Sequence, residues 1–306
     1  MLPVELYLFG APEIYCDSAP VHMARRRCLA ILAYAALAGR PVLRERLLCI
    51  FWPDFAPGKA HAALRRELHQ LSLQIGKDCL KTDRMSICAQ TNDTLWTDVS
   101  QFLALKTRAE ELSHQSGKLN TQIEILKQAI LLYRGDFMEG FTLRDSAEFD
   151  DWQLFWEDTL RLQLSELLIQ LTRCCVSIGD VKAAAEHSLR AVKLDPLDED
   201  LQRNTISLLA EAGFPGRANE QFEKLKSLLK SEFHQAPTEA TISCIRSIRK
   251  SGLSPSPHYP PYVLMLKGDF IKNQTTPMDI EKSISFYKEA ISIDAEYAPA
   301  WAALAD

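Results

Sequence analysis

The sequence predicts a mainly α-helical chain: a small head containing short strands and three helices, then a solenoid-like body of paired helices. Three observations predict it. Short strand-like pieces are confined to the first 90 or so residues, where they bracket helical segments. Residues 57–75 carry apolar side chains at Ala60, Leu64, Leu68, Leu71 and Ile75, gaps of three and four that make one helical stripe. Residues 98–250 are strongly helical, and Gly179 and Gly213 lie 34 residues apart, the period of a tetratricopeptide repeat.

In the head, Val4 to Gly10 is β-prone and ends at a turn residue. Pro12 to Cys16 gives a second strand, Asp17 to Pro20 a turn, and Val21–Met23 a third strand. From Ala24 the period changes. Leu29, Leu32, Ala33, Ala36 and Leu37 follow Arg25, Arg26 and Arg27 in a helix closed by Gly39. Residues 40–42 form a link. Leu43 to Trp52 is a second short helix, with Leu47, Leu48 and Phe51 inward, and Pro53 stops it. After Asp54-Phe55-Ala56 comes the helix over 57–75, which Gly76 ends. Leu80–Thr82 and Met85–Ile87 then flank Asp83-Arg84 as a tight hairpin.

Strands, three helices and a hairpin in this order make a winged helix-turn-helix, with the third helix in a DNA major groove and the hairpin, or wing, reaching an adjacent groove or phosphates. The far side of the third helix carries Lys59, Ala62, Arg66, His69 and Leu73, with Arg65 on the flank. Cationic donors around a small central residue suit close approach to a groove. An Arg-Arg pair on a helix is ordinarily only a solvated face, so the neighbouring elements carry much of this reading. Candidate DNA contacts are Lys59, Arg65, Arg66 and His69, with Lys81 and Arg84 on the wing. Arg25, Arg26 and Arg27 oppose the dipole of the helix they open, a misfit that favours a phosphate role over simple solvation. Arg44 is a weaker candidate.

The net charge is −5, which alone argues against nucleic acid, but the charge is divided. Residues 1–90 hold 12 Lys and Arg against 8 Asp and Glu, whereas residues 91–306 hold 23 against 32. A basic head on an acidic body fits a nucleic-acid module joined to a protein-facing one. The eight cysteines form no CxxC pair, and no histidine pattern completes a zinc site. Cys28, Cys49 and Cys88 sit in apolar contexts as small packing residues, which points to a reducing cytoplasm. No apolar run is long enough to span a bilayer, and Met1 to Glu5 has no export-signal character.

The run Leu47-Leu48-Cys49-Ile50-Phe51-Trp52-Pro53-Asp54, followed by Ala63-Leu64-Arg65-Arg66-Glu67-Leu68, resembles the head of the Streptomyces antibiotic regulatory protein family of activators. That resemblance implies a winged helix of the response-regulator (OmpR/PhoB) type with an N-terminal sheet. Tyr133-Arg134-Gly135-Asp136, Glu148-Phe149-Asp150-Asp151-Trp152 and Leu194-Asp195-Pro196-Leu197-Asp198-Glu199 resemble the bacterial transcriptional activator domain found behind that head. It implies that the body supports side-by-side binding on direct repeats, with self-association on DNA, and contacts RNA polymerase or its sigma subunit.

The expected divisions are a winged-helix domain at 1–97, the helical domain at 98–250, a linker at 251–261 and a further tetratricopeptide array from 262. Asp98 or Ser100 caps the first body helix. After Gly179 come Ala184, Ala191 and Pro196 at small and terminal repeat positions; after Gly213 come Ala218 and Phe222, with Leu225 and Lys230 making that repeat degenerate. Small residues let paired helices approach and bury faces that none could bury alone. Ser251 to Pro261 is rich in Ser and Pro. Tyr287, Ala290, Trp301 and Leu304 match a further unit and the start of the next, so the sequence reads as a fragment of a longer protein.

No phosphate loop, catalytic motif or metal motif occurs, so no enzyme and no cofactor is expected. Glu148, Asp150 and Asp151, and Asp198, Glu199 and Asp200, sit where acids favour helix starts. Phe149, Trp152 and Trp156 form a stripe of core character. The leading expectation is a cytoplasmic, DNA-binding transcriptional activator. The alternatives are a tetratricopeptide scaffold for protein partners, which the overall acidity supports, and a regulator whose repeats bind a protein or small-molecule effector, an idea resting on fold analogy.

Overall fold

The computed structural model describes residues 4–90, 94–113, 115, 117–250, 261–272, 277–294 and 297–305. They form two compact units. The first combines Met1–Leu105 with Gln128–Arg161, and the second combines Lys106–Lys127 with Leu162–Asp306.

The first unit begins with β1 (Val4–Tyr7), β2 (Glu13–Cys16) and β3 (Ala19–Pro20). Strand β1 pairs antiparallel with β2 through Glu5↔Tyr15 and Leu6↔Ile14. The third strand lies at Ala19–Pro20, ahead of the expected Val21–Met23, because Asp17 and Ser18 take φ of 50° and 64° and reverse the chain within two residues. Two successive left-handed residues make the twisted turn that suits a tight hairpin.

Helix α1 (Arg26–Leu37) buries Cys28 to Ala33 almost entirely. A strand, β4 (Val42–Leu43), occupies what the sequence marked as a link and a helix start, so α2 begins one residue later (Arg44–Phe51). Helix α3 (Pro57–Ile75) has the expected bounds. The hairpin is β5 (Leu80–Thr82) and β6 (Ser86–Ala89), and β4 pairs with β6 to complete a three-stranded sheet, Val42↔Ile87. A local pattern could not show β4, whose two residues acquire meaning only from the distant β6. Cys49 is exposed on α2, contrary to its expected packing role; Cys28 is buried and Cys88 half-buried.

Strand β7 (Leu95–Thr97) runs parallel to β1, giving the order β3-β2-β1-β7. It leads into α4 (Asp98–Ser113). Asp98 is not a surface cap. Its side chain is 1% exposed and accepts from the amides of Leu8 (2.8 Å), Phe9 (2.9 Å) and Val99 (2.8 Å), while Thr97 Oγ1 accepts from Ser100 N at 3.0 Å. Burial pushes the Asp98 carboxyl up; the amides and Arg134 pull the other way.

After α5 (Leu119–Leu132) the chain returns along the end of β1. Gly10 N donates to Asp136 O, Met138 N to Leu8 O and Glu139 N to Gly10 O. A Cβ on Gly135 would meet Gly10 Cα at 3.0 Å, so glycine permits this approach. Tyr133 Oη and Arg161 Nη2 hold the two Asp136 oxygens at 2.8 and 3.0 Å. Helix α6 (Ala147–Ser177) then supplies Phe149, which packs on Phe51 and Phe141, and Trp152, which packs on Tyr34 and Phe137. Of the aromatic stripe, Phe149 is core, and Trp152 and Trp156 are half-buried at its edge. The fully buried Phe149 ring contributes about 1.5–3 kcal/mol.

The second unit continues through α7 (Val181–Leu194), α8 (Glu199–Glu211), α9 (Pro215–Phe233), α10 (Glu239–Lys250), α11 (Pro261–Lys272), α12 (Pro277–Ile293) and α13 (Ala298–Ala305). Gly179 and Gly213 take φ of 82° and 85° in the turns before α7 and α9. Asp180 caps α7 through Ala183 N at 3.1 Å, and Asp198 caps α8 through Leu201 N at 2.9 Å, so this acid cluster does serve a helix start. Ala184, Ala191 and Ala218 are fully buried, as close helix packing requires. Gly268 leaves room for the Tyr287 ring against its backbone. The expected linker at 251–261 lies outside the described residues except for Pro261, which opens α11.

Candidate nucleic-acid interface

Helix α3 owes its position to its two ends and its inner face. Pro57 occupies the first turn, where no backbone donor is needed. Gly76, at φ 85°, releases the chain at the other end. Ala60, Ala63, Leu64, Leu71 and Ile75 are buried, and Leu68 is half-buried. Glu67 is also inward, and its carboxylate accepts from Arg25 Nη1 at 3.1 Å and from the Cys28 thiol at 2.9 Å.

The outer face is the one expected. Lys59, Arg65, Arg66 and His69 are exposed around the half-buried Ala62. These five residues and Phe55 line a shallow, open concavity of about 500 Å³. Lys59, Arg65 and Arg66 make no ion pair with any described residue. Phe55 has no helical-period signal, because it lies in the loop before α3; its loop position beside Pro57 was the only available hint.

The wing is held by hydrogen bonds at its tip. Asp83 accepts from Met85 N (2.7 Å), Ser86 N (2.6 Å) and Ser86 Oγ (2.9 Å), bonds that hold its carboxyl below the usual range. Arg44 Nε donates to Asp83 O at 2.9 Å, so Arg44 fastens the hairpin tip to the start of α2. Lys81 and Arg84 are exposed on that hairpin.

The three successive arginines each have an intramolecular partner, although Arg25 and Arg26 remain exposed. Arg25 pairs with Glu67. Arg26 donates to Gly140 O at 3.4 Å and lies over the Phe141 ring at 4.6 Å. Arg27 donates to Arg144 O at 3.2 Å and lies over Trp52 at 5.7 Å; its Nε is buried with no partner among the described residues. These contacts explain why three cations tolerate the start of α1, whose dipole they oppose. The arrangement groups Lys59, Arg65, Arg66 and His69 on one face, puts Lys81 and Arg84 on the wing, and gives Arg25, Arg26, Arg27 and Arg44 intramolecular partners.

Among the described residues, no group of three or more His, Cys, Asp or Glu could hold a metal ion, and no helix is long and apolar enough to cross a membrane.

Residues 97–249 match the family model described as "Bacterial transcriptional activator domain". Among solved structures, the chain is similar to Mycobacterium tuberculosis EmbR, described in complex with a low affinity phosphopeptide, with a TM-score of 0.66 and 17% identity over 89% of this chain and 70% of that one. At that identity the likeness shows a shared fold. No curated protein sequence matches the chain. The family model spans half of the sequence, behind a winged-helix head: the chain belongs to the bacterial transcriptional activator domain family.

Proposed function

We propose that this activator binds duplex DNA sequence-specifically, with α3 in the major groove and the β5–β6 wing on neighbouring phosphates. The observation that carries the proposal is the outer face of α3: three cations without ionic partners among the described residues and a histidine, set around a small central residue, on a helix whose other side packs into the head. Cations left facing solvent in one concave patch suit a dense row of phosphates and base-edge acceptors. Lys59, Arg65, Arg66 and His69 make the groove contacts. Lys81 and Arg84 add phosphate contacts from the wing. Arg25 and Arg44 reach phosphates only as supplements to the pairs they already form, and Arg26 and Arg27 act mainly by holding the 140–144 segment.

The helical body, by family resemblance, arranges copies side by side on direct repeats and contacts RNA polymerase or its sigma subunit. The paired helices from α7 onward offer a surface for a protein or small-molecule effector. The bacterial cytoplasm is the compartment in which such a protein meets its promoters. A gel shift across a salt series tests DNA binding: log affinity should fall linearly with log salt, by about 0.9 per phosphate contact. Absence of a shift at low salt would refute DNA binding and favour a scaffold for protein partners.

A further inference from the structure

We propose that the head recognises thymine through its C5-methyl group, using Phe55 and Ala62, so that preferred sites place thymines beneath these two side chains. The inference rests on the DNA-binding reading above and names what that same face selects.

Phe55 is a large ring left 47% exposed in the loop before α3. Its amide donates to Trp52 O at 3.2 Å, and Trp52 is buried, so the loop is tied to the packed end of α2. A lone exposed apolar residue needs no explanation. This one shares a single concavity with Lys59, Ala62, Arg65, Arg66 and His69. The concavity therefore presents two apolar surfaces, a ring at one end and a methyl at the centre, inside a cationic frame.

Phosphates and the guanine edge offer nothing apolar to such surfaces. On the floor of the major groove the thymine methyl does, and Ala or Phe against it is a favourable pairing. From Lys59 to His69 the helix rises about 15 Å, while bases on one strand repeat every ~3.4 Å. Phe55, ahead of Lys59, and Ala62, near the middle, fall on different base steps. The flanking cations supply affinity; the two apolar groups separate thymine from cytosine, which has no methyl group.

The test uses the 306-residue chain and a duplex enriched by it from a random-sequence library. Each thymine in the enriched site is replaced singly by deoxyuridine, which removes the methyl and leaves base pairing intact. At one or more positions the affinity should drop about fourfold, the effect of one buried methyl. Phe55→Ala should abolish the thymine-over-uracil preference at one such position, whereas Arg65→Ala should weaken both duplexes and preserve their ratio. Circular dichroism should show Phe55→Ala folded, since the ring is half exposed. If no deoxyuridine substitution weakens binding, or if Phe55→Ala keeps every ratio unchanged, the inference is overturned while DNA binding stands. If the library yields no enriched duplex, both readings fall.

Discussion

Arg25 Nη1 lies 3.1 Å from Glu67 Oε1, so the start of α1 is ionically tied to the inner side of α3. The two ends of this bond differ: the Arg25 side chain is half exposed and that of Glu67 is nearly buried, with the Cys28 thiol on its second oxygen. Losing the Glu67 side chain takes away the nearer acceptor of a buried thiol, which keeps only the residue 67 carbonyl at 3.5 Å, and empties the space the carboxylate filled, whereas losing Arg25 breaks a pair largely screened by water. Glu67→Ala should cost about 1–3 kcal/mol of stability. Arg25→Ala should cost under about 1 kcal/mol. Urea unfolding midpoints of the two variants provide the check; equal losses would show that the buried partners of Glu67 carry no weight.

Asp98 joins residues 90 positions apart. Its carboxylate accepts from Leu8, Phe9 and Val99 and thereby fixes the end of β1 where β7 passes into α4. Alanine would strand three amides in the core, at about 1–3 kcal/mol for each left unsatisfied and less where water enters. Asp98→Ala should therefore unfold the head well below the wild-type denaturant midpoint. Asp98→Asn, with one acceptor oxygen instead of two, should fall between. An Asp98→Ala protein with wild-type stability would contradict this assignment.

The α3 face makes a sharper prediction for binding. Arg65→Ala with Arg66→Ala should abolish protection of the selected site in footprinting and leave the circular dichroism spectrum unchanged, since both side chains are exposed. Lys81→Ala with Arg84→Ala should weaken all duplexes alike and reduce the salt slope by about 0.9 per lost phosphate contact. A double Arg65/Arg66 variant that still protects the site would move the interface off α3.

What the sequence revealed follows from the range of each signal. Helix α3 was legible end to end because its stripe, Pro57 and Gly76 are all local. Gly179 and Gly213 were legible because a repeat restates itself. The inward contacts of Arg26 and Arg27 were not legible, because Gly140 and Arg144 lie more than 110 residues away and share no period with α1. The same holds for Asp98, which local pattern placed at a helix cap and which instead answers to Leu8 and Phe9. Phe55 escaped notice because a loop residue has no face until the helix beside it is placed. Local periodicity thus located the cationic face of α3, and only three-dimensional packing showed that Arg25, Arg26, Arg27 and Arg44, outside that face, already have partners within the chain.

In the second unit, Glu211 near the end of α8 has a carboxyl oxygen, Oε2, buried with no hydrogen-bond partner among the described residues. Burial raises its pKa to about 7 against an ordinary value of 4.5, with Lys267 pulling the other way. Between these values the folded chain keeps a proton that the unfolded chain has released. Stability must then fall as pH rises from about 4.5 to about 7, and this group adds no further slope above that. Glu211→Gln stays neutral throughout and removes the dependence. Melting temperatures measured from pH 4.5 to 8 should show the variant gaining on the wild type as pH rises, by several degrees at pH 8. Parallel curves for the two proteins would mean that Glu211 ionises in the folded state as freely as in water, through a contact with solvent that its buried oxygen does not have.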